Sequence, residues 1–472
     1  MSSTKSVGIT VLPEYVQSEG IEPVLDRIQR AGATSVTTSP YVMELADPDT
    51  GCREPPIDAG AGSVRLLDRP LWGSREVWVH AAPSFVPGRD WYQGLRYQPS
   101  APTRLTETEG QVVARFIQAA QARGLNVYFQ VQAAIPPGYR VQFGGPTPED
   151  RPLLPDGSFP AKRVANNASL ASPDVIAYQH ALIRDLCQQY PNIDGFRFDW
   201  PEYPPYELDS VFMDFSPHAE AAADRLGFDF PAMQQDVHGL WKFLQGSLTD
   251  SMLAQAVLPF GIDQARRHIV REYPAVLDWL RFKAALSFDL LQGFRHTMDQ
   301  AGGASMAMLP NAFPPPWSTA SGFDFQQNGT ISQGICVKLY GMHWAMMLRS
   351  YGDQLLQTNQ VSSAQLVQAL VKLLDIADDQ GHSQLEDYRY PEPHEPHPCG
   401  TEVQQRKIRH AQQAAGACPV LALAHAYGPV DDFERRFAIA LAASDHGVLV
   451  NRYAYLADEK LDAMQRVIAA TE

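Results

Sequence analysis

Eight short runs of β-forming residues, separated by segments with helical periodicity, constrain the fold of this chain most strongly. Each run is apolar or rich in Val, Ile, Tyr or Phe, and most are followed by an amphipathic segment that ends near Gly. The runs are SVGITVLP from Ser6, TSVTTSPYV from Thr34, LNVYFQVQA from Leu125, IDGFRFDW from Ile193, ASMAMLPNA from Ala304, GICVKLYGM from Gly334, PVLALAHAY from Pro419 and GVLVNRYAY from Gly447. Strands that alternate with helices predict parallel pairing, and eight of them predict a (β/α)8 TIM barrel of the α/β class.

The spacing of the runs predicts a single barrel domain over residues 1–472 with two long insertions. The connection 44–107 follows the second run and includes a hairpin-like pair around Leu66 and Val77. The connection 201–300 follows the fourth run and is mostly helical in pattern. Since both follow strands, they should enlarge the end of the barrel that carries functional loops.

Composition and charge argue against several classes of function. The formal net charge is −15, which disfavours binding to nucleic acid or to anionic membranes. We expect a soluble cytoplasmic protein, because no run of about 18 apolar residues and no signal-peptide pattern occurs. The five cysteines lack CxxC spacing and cannot all pair within one chain, which fits reduced thiols in a cytoplasm. The patterns HExxH, GxSxG and GxxxxGK[ST] are missing too, so we expect no cofactor and no metal.

The fourth run continues as IDGFRFDWPEYPPY and carries the residues best suited to chemistry. Period-two alternation predicts that Arg197 and Asp199 point into the barrel, with Asp199 at the strand's carboxyl end. The opposite, helix-facing side should hold the aromatic residues Phe196, Phe198 and Trp200. Arg197 lies within reach to keep Asp199 ionised, and Glu202 follows three residues later. A plain ion pair lining the barrel is the alternative interpretation.

The stretch from Asn166 to Tyr206 resembles known proteins. It reads NNASLASPDVIAYQHALIRDLCQQYPNIDGFRFDWPEYPPY and resembles glycoside-hydrolase-like barrel families that carry a helix, then a fourth strand of this kind and a nearby Tyr-Pro pair. Its DGFRFD core resembles the nucleophile strand of the alpha-amylase superfamily. The resemblance implies that Asp199 occupies the position of the catalytic carboxylate, with Arg197 as its neighbour. WPEYPP replaces the acidic and basic residues that usually follow.

Glycosidic hydrolysis normally needs a second carboxyl group. Glu202 on the same loop is the first candidate, and Asp324 after the fifth run is the second. Glu14 after the first run and Asp431 after the seventh are further candidates. Each of these acids could instead cap a helix or lie in its first turn.

Polar and aromatic side chains at the ends of the other runs suit a polyhydroxylated ligand. Together with Arg197 and Tyr203, the predicted substrate-binding residues are Gln130, Gln132, Asn311, His343, Trp344, His425, Tyr427, Asn451 and Tyr453. In the sixth run Lys338 and Tyr340 alternate with apolar residues, so either set can face inward. An inward Lys338 would pair with an acid of the fourth or fifth strand.

The leading hypothesis is a glycoside hydrolase that cleaves a glycosidic bond in an oligosaccharide or glycoside, with Asp199 as nucleophile or electrostatic stabiliser and Glu202 as acid/base. A metal-dependent sugar isomerase or lyase would instead gather a divalent metal from Glu14, Asp199, Glu202 and histidines. A barrel that binds carbohydrate without turnover is the third hypothesis. The helical surface of 201–300 could also support a homodimer.

Overall fold

The structure is a computed structural model that describes residues 5–57, 65–379 and 381–471. Its strands are β1 (Ser6–Thr10), β2 (Ser35–Thr38), β3 (Tyr41–Leu45), β4 (Cys52–Glu54), β5 (Val77–Pro83), β6 (Asn126–Gln132), β7 (Gly195–Asp199), β8 (Ala307–Met308), β9 (Asn311–Ala312), β10 (Ile335–Leu339), β11 (Val420–His425) and β12 (Gly447–Asn451). Its α-helices are α1 (Pro13–Glu19), α2 (Ile21–Arg30), α3 (Arg89–Tyr92), α4 (Arg104–Glu109), α5 (Gln111–Ala122), α6 (Pro173–Gln189), α7 (Leu208–Val211), α8 (Pro217–Leu226), α9 (Phe230–Leu244), α10 (Asp250–Val257), α11 (Gly261–Glu272), α12 (Val276–Gln300), α13 (Trp317–Ser321), α14 (Phe325–Gly329), α15 (Gly341–Thr358), α16 (Ser363–Leu374), α17 (Thr401–Ala415), α18 (Val430–Ala443) and α19 (Asp458–Ala469).

Nine strands form one parallel sheet in the order β8-β7-β6-β2-β1-β12-β11-β10-β9. The two strands at its ends belong to one stretch of chain, because only Leu309 and Pro310 separate β8 from β9. On one side Leu309 N donates to Phe196 O at 2.8 Å, and on the other Cys336 N donates to Pro310 O at 2.9 Å. The sheet therefore curls into a barrel with eight strand positions, each within a predicted run, and the predicted fold class is confirmed.

The strand before the candidate site alternates as its sequence predicts. Phe198 points outward, and its ring lies 4.8 Å from that of Phe294 in α12. Arg197 points inward and donates to Thr10 and Thr37 on the first two strands, at 3.1 and 3.0 Å. The prediction was wrong for Trp200, which lines the cavity at the barrel mouth. Trp200 follows the last residue of β7 and has a positive φ of 53°, so strand alternation no longer directs its side chain.

Helix α6 leads the chain into β7 and begins at a strong capping sequence. Ser172 Oγ accepts a hydrogen bond from Val175 N at 3.2 Å, and Pro173 occupies the first helical position. The buried face of the helix includes Val175, Tyr178, Leu182 and Leu186. Burial of this face fixes α6 against the barrel and so fixes the direction in which β7 enters it.

The two insertions differ in structure. In the first, β3, β4 and β5 form an antiparallel sheet in which Val77 pairs with Glu54. Leu66 lies outside these strands, and the hairpin nearby joins Leu67 N to Arg75 O at 3.0 Å. Residues 58–64 of this insertion are outside the described ranges. The second insertion contains the helices α7 to α12. No helix in the described part of the chain has both the length and the apolar character that crossing a bilayer requires.

Candidate active site at the barrel mouth

A cavity of about 580 Å³ lies where the barrel strands end. Its volume falls within the range of roughly 300–1,000 Å³ that is usual for small-molecule sites. Six predicted site residues line it, namely Gln130, Gln132, Asp199, His343, His425 and Asn451. They come from four strands and from the first turn of α15, so the barrel brings distant parts of the sequence to one place.

Asp199 is the carboxylate among the described residues of this lining. Its Oδ1 lies 2.9 Å from Lys338 Nζ, and its Oδ2 accepts a hydrogen bond from Gln130 Nε2 at 3.2 Å. The backbone N–H of Trp200 also donates to Oδ1, at 3.1 Å. Burial alone would raise the pKa of Asp199, but the Lys338 ammonium and hydrogen bonds outweigh burial and lower this pKa below its usual value. Asp199 is therefore ionised at neutral pH.

Lys338 faces inward and pairs with an acid of the fourth strand, which confirms the prediction made for an inward orientation. Only 2% of its side chain is exposed, against 15% for Asp199. Its ammonium also lies 4.7 Å from the ring centre of Phe313 and 5.4 Å from that of Trp200. Aromatic rings and one carboxylate thus hold the charge of Lys338 in place.

Arg197 lies deeper in the barrel than the cavity. Besides its bonds to Thr10 and Thr37, it donates to Asn311 Oδ1 at 3.2 Å. The charge of Arg197 lowers the pKa of Asp199 less than the charge of Lys338 does. The direct ionic partner of Asp199 is therefore Lys338, whereas Arg197 acts in the predicted direction but to a smaller extent. Arg197 and Asn311 link four barrel strands beneath the site.

Glu202 is fully buried and is not among the described residues that line the cavity. Its Oε1 accepts a hydrogen bond from Phe313 N at 2.9 Å, and its Oε2 accepts one from Ser321 Oγ at 2.5 Å. Burial raises the pKa of Glu202 to about 7, with Lys338 and these hydrogen bonds lowering it and Asp199 raising it further. Two neighbouring carboxyl groups thus have opposite pKa shifts.

Two of the other three candidate acids have structural partners. Asp324 caps α14 by accepting a hydrogen bond from Gln327 N at 2.9 Å. Glu14 lies 2.9 Å from Arg140 and accepts from Tyr41, and Asp431 lies exposed in the first turn of α18. In the described part of the chain, no group of three or more His, Cys, Asp or Glu side chains is placed to hold a metal ion. The acids named for a metal-dependent isomerase are not gathered at one point there.

Five predicted substrate-binding side chains lie away from the cavity lining, engaged with other groups. Tyr203 donates to Asp214 at 3.0 Å, Tyr427 to Pro391 O at 3.0 Å and Tyr453 to Glu19 at 2.8 Å. Trp344 packs against Trp317 and lies 5.2 Å from the Lys407 ammonium. Asn311 serves Arg197, as described above. These five side chains stabilise the elements around the cavity.

Two predicted residues in the lining have defined polar roles. His425 Nδ1 accepts a hydrogen bond from Tyr427 N at 3.1 Å, and burial lowers the pKa of His425 well below its usual value, with Arg65 and His343 adding to the shift. The ring is therefore neutral, and its proton lies on Nε2, where it can be donated. Asn451 Nδ2 donates to Tyr340 Oη at 3.1 Å.

Sequence reasoning missed the contribution of residues 133–172, which connect β6 to α6. This connection supplies Tyr139, Arg140, Gln142 and Arg163 to the cavity lining. Arg452, directly after β12, was missed as well. The length of the connection was a usable signal, because loops of this length within a compact domain are usually functional.

No protein-family profile matches this chain, and neither does any curated protein sequence. Solved structures do match. The beta-galactosidase from the psychrophilic Marinomonas ef1 aligns with 99% of this chain and 59% of its own, with 9% sequence identity and a TM-score of 0.51. The beta-galactosidase from the Antarctic haloarchaeon Halorubrum lacusprofundi aligns with 98% of this chain and 57% of its own, with 11% identity and a TM-score of 0.50. The PgaB glycoside hydrolase domain from Bordetella bronchiseptica aligns with 91% of this chain and with 94% of its own chain, with 14% sequence identity and a TM-score of 0.39.

The chain spans less than two thirds of the length of the two beta-galactosidases. At 9% and 11% identity, what they share with it is the fold. The expected glycoside-hydrolase-like barrel fold is confirmed by these two alignments.

Proposed function

We propose that this protein is a glycoside hydrolase that cleaves a glycosidic bond in an oligosaccharide or glycoside bound at the barrel mouth. The observation that carries the proposal is an ionised Asp199 at the carboxyl end of the fourth barrel strand, in the lining of the mouth cavity. A carboxylate in this position can attack the anomeric carbon or stabilise a transition state with oxocarbenium character. Active sites of (β/α)8 enzymes lie at this end of the barrel.

Glu202 is the proposed acid/base because its pKa is raised whereas that of Asp199 is lowered, so Glu202 is the carboxyl group that can hold a proton. Lys338 keeps Asp199 ionised, whereas burial raises the pKa of Glu202 to about 7, so that Glu202 carries a proton in a large fraction of molecules at neutral pH. Separated pKa values of this kind distinguish an acid from a nucleophile in paired-carboxylate enzymes. Since Glu202 is buried, the proposal requires substrate binding to open a path between its carboxyl group and the cavity.

The cavity also offers groups that suit sugar recognition. Gln132 Oε1 is buried and has no hydrogen-bond donor among the described residues, so a substrate hydroxyl would satisfy it. The neutral His425 can donate a hydrogen bond, and Trp200 presents an aromatic ring to the same cavity. Apolar sugar faces stack on such rings while hydroxyl groups bind the polar ones.

A barrel that binds carbohydrate without cleaving it is the second candidate. The observation in its favour is that Asp199 is the one carboxylate among the described lining residues. This candidate predicts sugar binding with no bond cleavage over days. The hydrolase predicts new reducing ends in the same samples.

The test is to assay the wild type, Asp199→Asn and Glu202→Gln against a panel of aryl glycosides and oligosaccharides. Loss of turnover by about a hundredfold or more in Asp199→Asn, with the folded state retained in circular dichroism, is expected. Asp229→Asn is the matched control, because Asp229 caps α9 and Asn caps equally well. Unchanged turnover in both active-site variants would remove the assignment.

A further inference from the structure

The mouth cavity has more cationic than anionic side chains among the described residues of its lining. Two of its cations are neutralised, since Arg140 pairs with Glu14 at 2.9 Å and Glu54 at 2.7 Å, and Lys338 pairs with Asp199. Two other cations of the lining, Arg163 and Arg452, form no ion pair with a described carboxylate. Their positive charge is available to a ligand.

Arg163 is half-buried and forms no ion pair with a described carboxylate, although the more distant charge of Asp214 acts on it. Its guanidinium donates to the backbone oxygen of Asn167 at 2.8 Å and to the Oδ1 atom of the same residue. Burial lowers the pKa of Arg163 to about 10, with the charge of Asp214 opposing the shift, so the side chain stays protonated at neutral pH. A charge removed from water is costly until an opposite charge pairs with it, and an anionic ligand group would provide that pairing.

Arg452 has even fewer partners. Its backbone oxygen accepts a hydrogen bond from Tyr455 N, but its guanidinium makes no hydrogen bond or ion pair within the described part of the chain. Arg452 lines the cavity, and its charge contributes to the lowered pKa of His425 and acts on Tyr340, two other lining residues. A guanidinium carries five N–H donors in a planar arrangement that matches carboxylate and sulfate oxygens.

Arg163 also joins the mouth cavity to a second cavity of about 1110 Å³, because it lines both. In the second cavity Arg349 pairs with Asp353 at 2.7 Å, and Arg389 pairs with Glu395 at 2.6 Å. Arg163 thus lies where the two cavities adjoin, and it forms no ion pair with a described carboxylate. A ligand longer than one sugar unit could pass Arg163 on its way out of the mouth cavity.

We infer that the substrate is an acidic oligosaccharide, whose carboxylate or sulfate substituents bind Arg452 in the mouth cavity and Arg163 at the junction. This inference rests on the proposed function, because it names the class of sugar that the proposed active site receives. An ionic contact of this kind to a substituent should contribute about tenfold or more to affinity.

The experiment measures binding of the full-length wild-type chain by titration calorimetry, with cleavage followed in parallel. Each acidic oligosaccharide is paired with its neutral counterpart, as oligogalacturonate with its methyl ester and a sulfated oligosaccharide with its desulfated form. At least one acidic member should bind about tenfold more tightly than its counterpart, and added salt should reduce the difference. The two arms distinguish a carboxylate from a sulfate ligand.

Arg452→Gln and Arg163→Gln should each reduce this preference about tenfold. Arg281→Gln is the matched control, because it removes the same charge from an exposed position on α12. The guanidinium of Arg452 makes no described contact, so its variant should keep the folded state and the test stays decisive even if the Arg163 variant unfolds.

The possible results separate this inference from the proposed hydrolase. Acidic members that bind through Arg452 without being cleaved would support the inference and count against hydrolysis. Neutral members that are cleaved and bind as tightly as the acidic ones would overturn the inference and leave the hydrolase standing. Failure of every acidic member to bind would also overturn it.

Discussion

Replacing Lys338 with Met should lower the free energy of unfolding by about 3–5 kcal/mol at pH 7. This is the usual cost of removing one partner of a buried ion pair and leaving the other charge uncompensated. The pair is nearly free of solvent screening, because Lys338 Nζ lies 2.9 Å from Asp199 Oδ1 with 2% and 15% of the two side chains exposed. Met retains contact with Phe313 and Trp200, so the loss is mainly that of the charge. Asp199 would keep its hydrogen bonds from Gln130 and the Trp200 backbone, with Asn311 also acting on it, but would lose its ion pair.

This loss should depend on pH with a definite sign. In the wild type the pKa of Asp199 is lowered, so the pair contributes stability above the ordinary pKa of 3.8 and loses it as the pH falls through the lowered value. Without Lys338, burial dominates and raises the pKa of Asp199 instead. The variant then regains stability relative to the wild type as the pH falls and the carboxyl group takes up a proton. The difference between the two proteins should be smaller at pH 4 than at pH 7.

Urea denaturation at both pH values measures this difference, and the double variant Lys338→Met/Asp199→Asn completes a mutant cycle. Because the double variant leaves no uncompensated charge, it should be more stable at pH 7 than Lys338→Met alone. A loss below about 1 kcal/mol, or a loss equal at the two pH values, would refute the reasoning that Lys338 is what keeps Asp199 ionised.

Three further outcomes follow from single contacts. Because burial raises the pKa of Glu202 to about 7, the wild type should lose about 3 kcal/mol of stability between pH 4.5 and 7, and Glu202→Gln should not show this loss in urea titrations at several pH values. Gly195→Ala should cost about 3 kcal/mol or more, seen as a lowered urea midpoint, because its Cβ would lie 2.1 Å from Ala307 O. Ser172→Ala should cost about 1–2 kcal/mol, since the Val175 N–H loses its cap, and Ser172→Asn should restore part of that stability.

The barrel itself could be predicted because its signals are local. Each strand is recognised from a few consecutive residues, and the period of two that turns Arg197 inward and Phe198 outward needs no knowledge of the partner strands. The same rule ends where the strand ends. Trp200 departs from the alternation one residue after β7, which is why its position at the cavity could not be predicted.

The membership of the cavity lining was harder to predict, because it depends on loop paths. Tyr453 and Trp344 lie within two residues of Asn451 and His343 along the chain, yet the first two are engaged by Glu19 and Trp317. Arg163 reaches the cavity from a connection that has no regular pattern in sequence. Residue type at a strand end predicts that a polar pocket forms there, but not which side chains border it.

The partner of Asp199 follows from the layered packing of barrel interiors. Side chains two residues apart on one strand point the same way but lie about 7 Å apart along it, so Arg197 occupies a deeper layer than Asp199. Each layer is filled from alternate strands, and the strand position two beyond β7 is that of β10, which carries Lys338. The ionic partner of an inward acid at the end of the fourth barrel strand should therefore be sought first on the sixth barrel strand, and only then on the fourth strand itself. Applied to the sequence, this rule selects Lys338 over Arg197 as the group that sets the charge of Asp199.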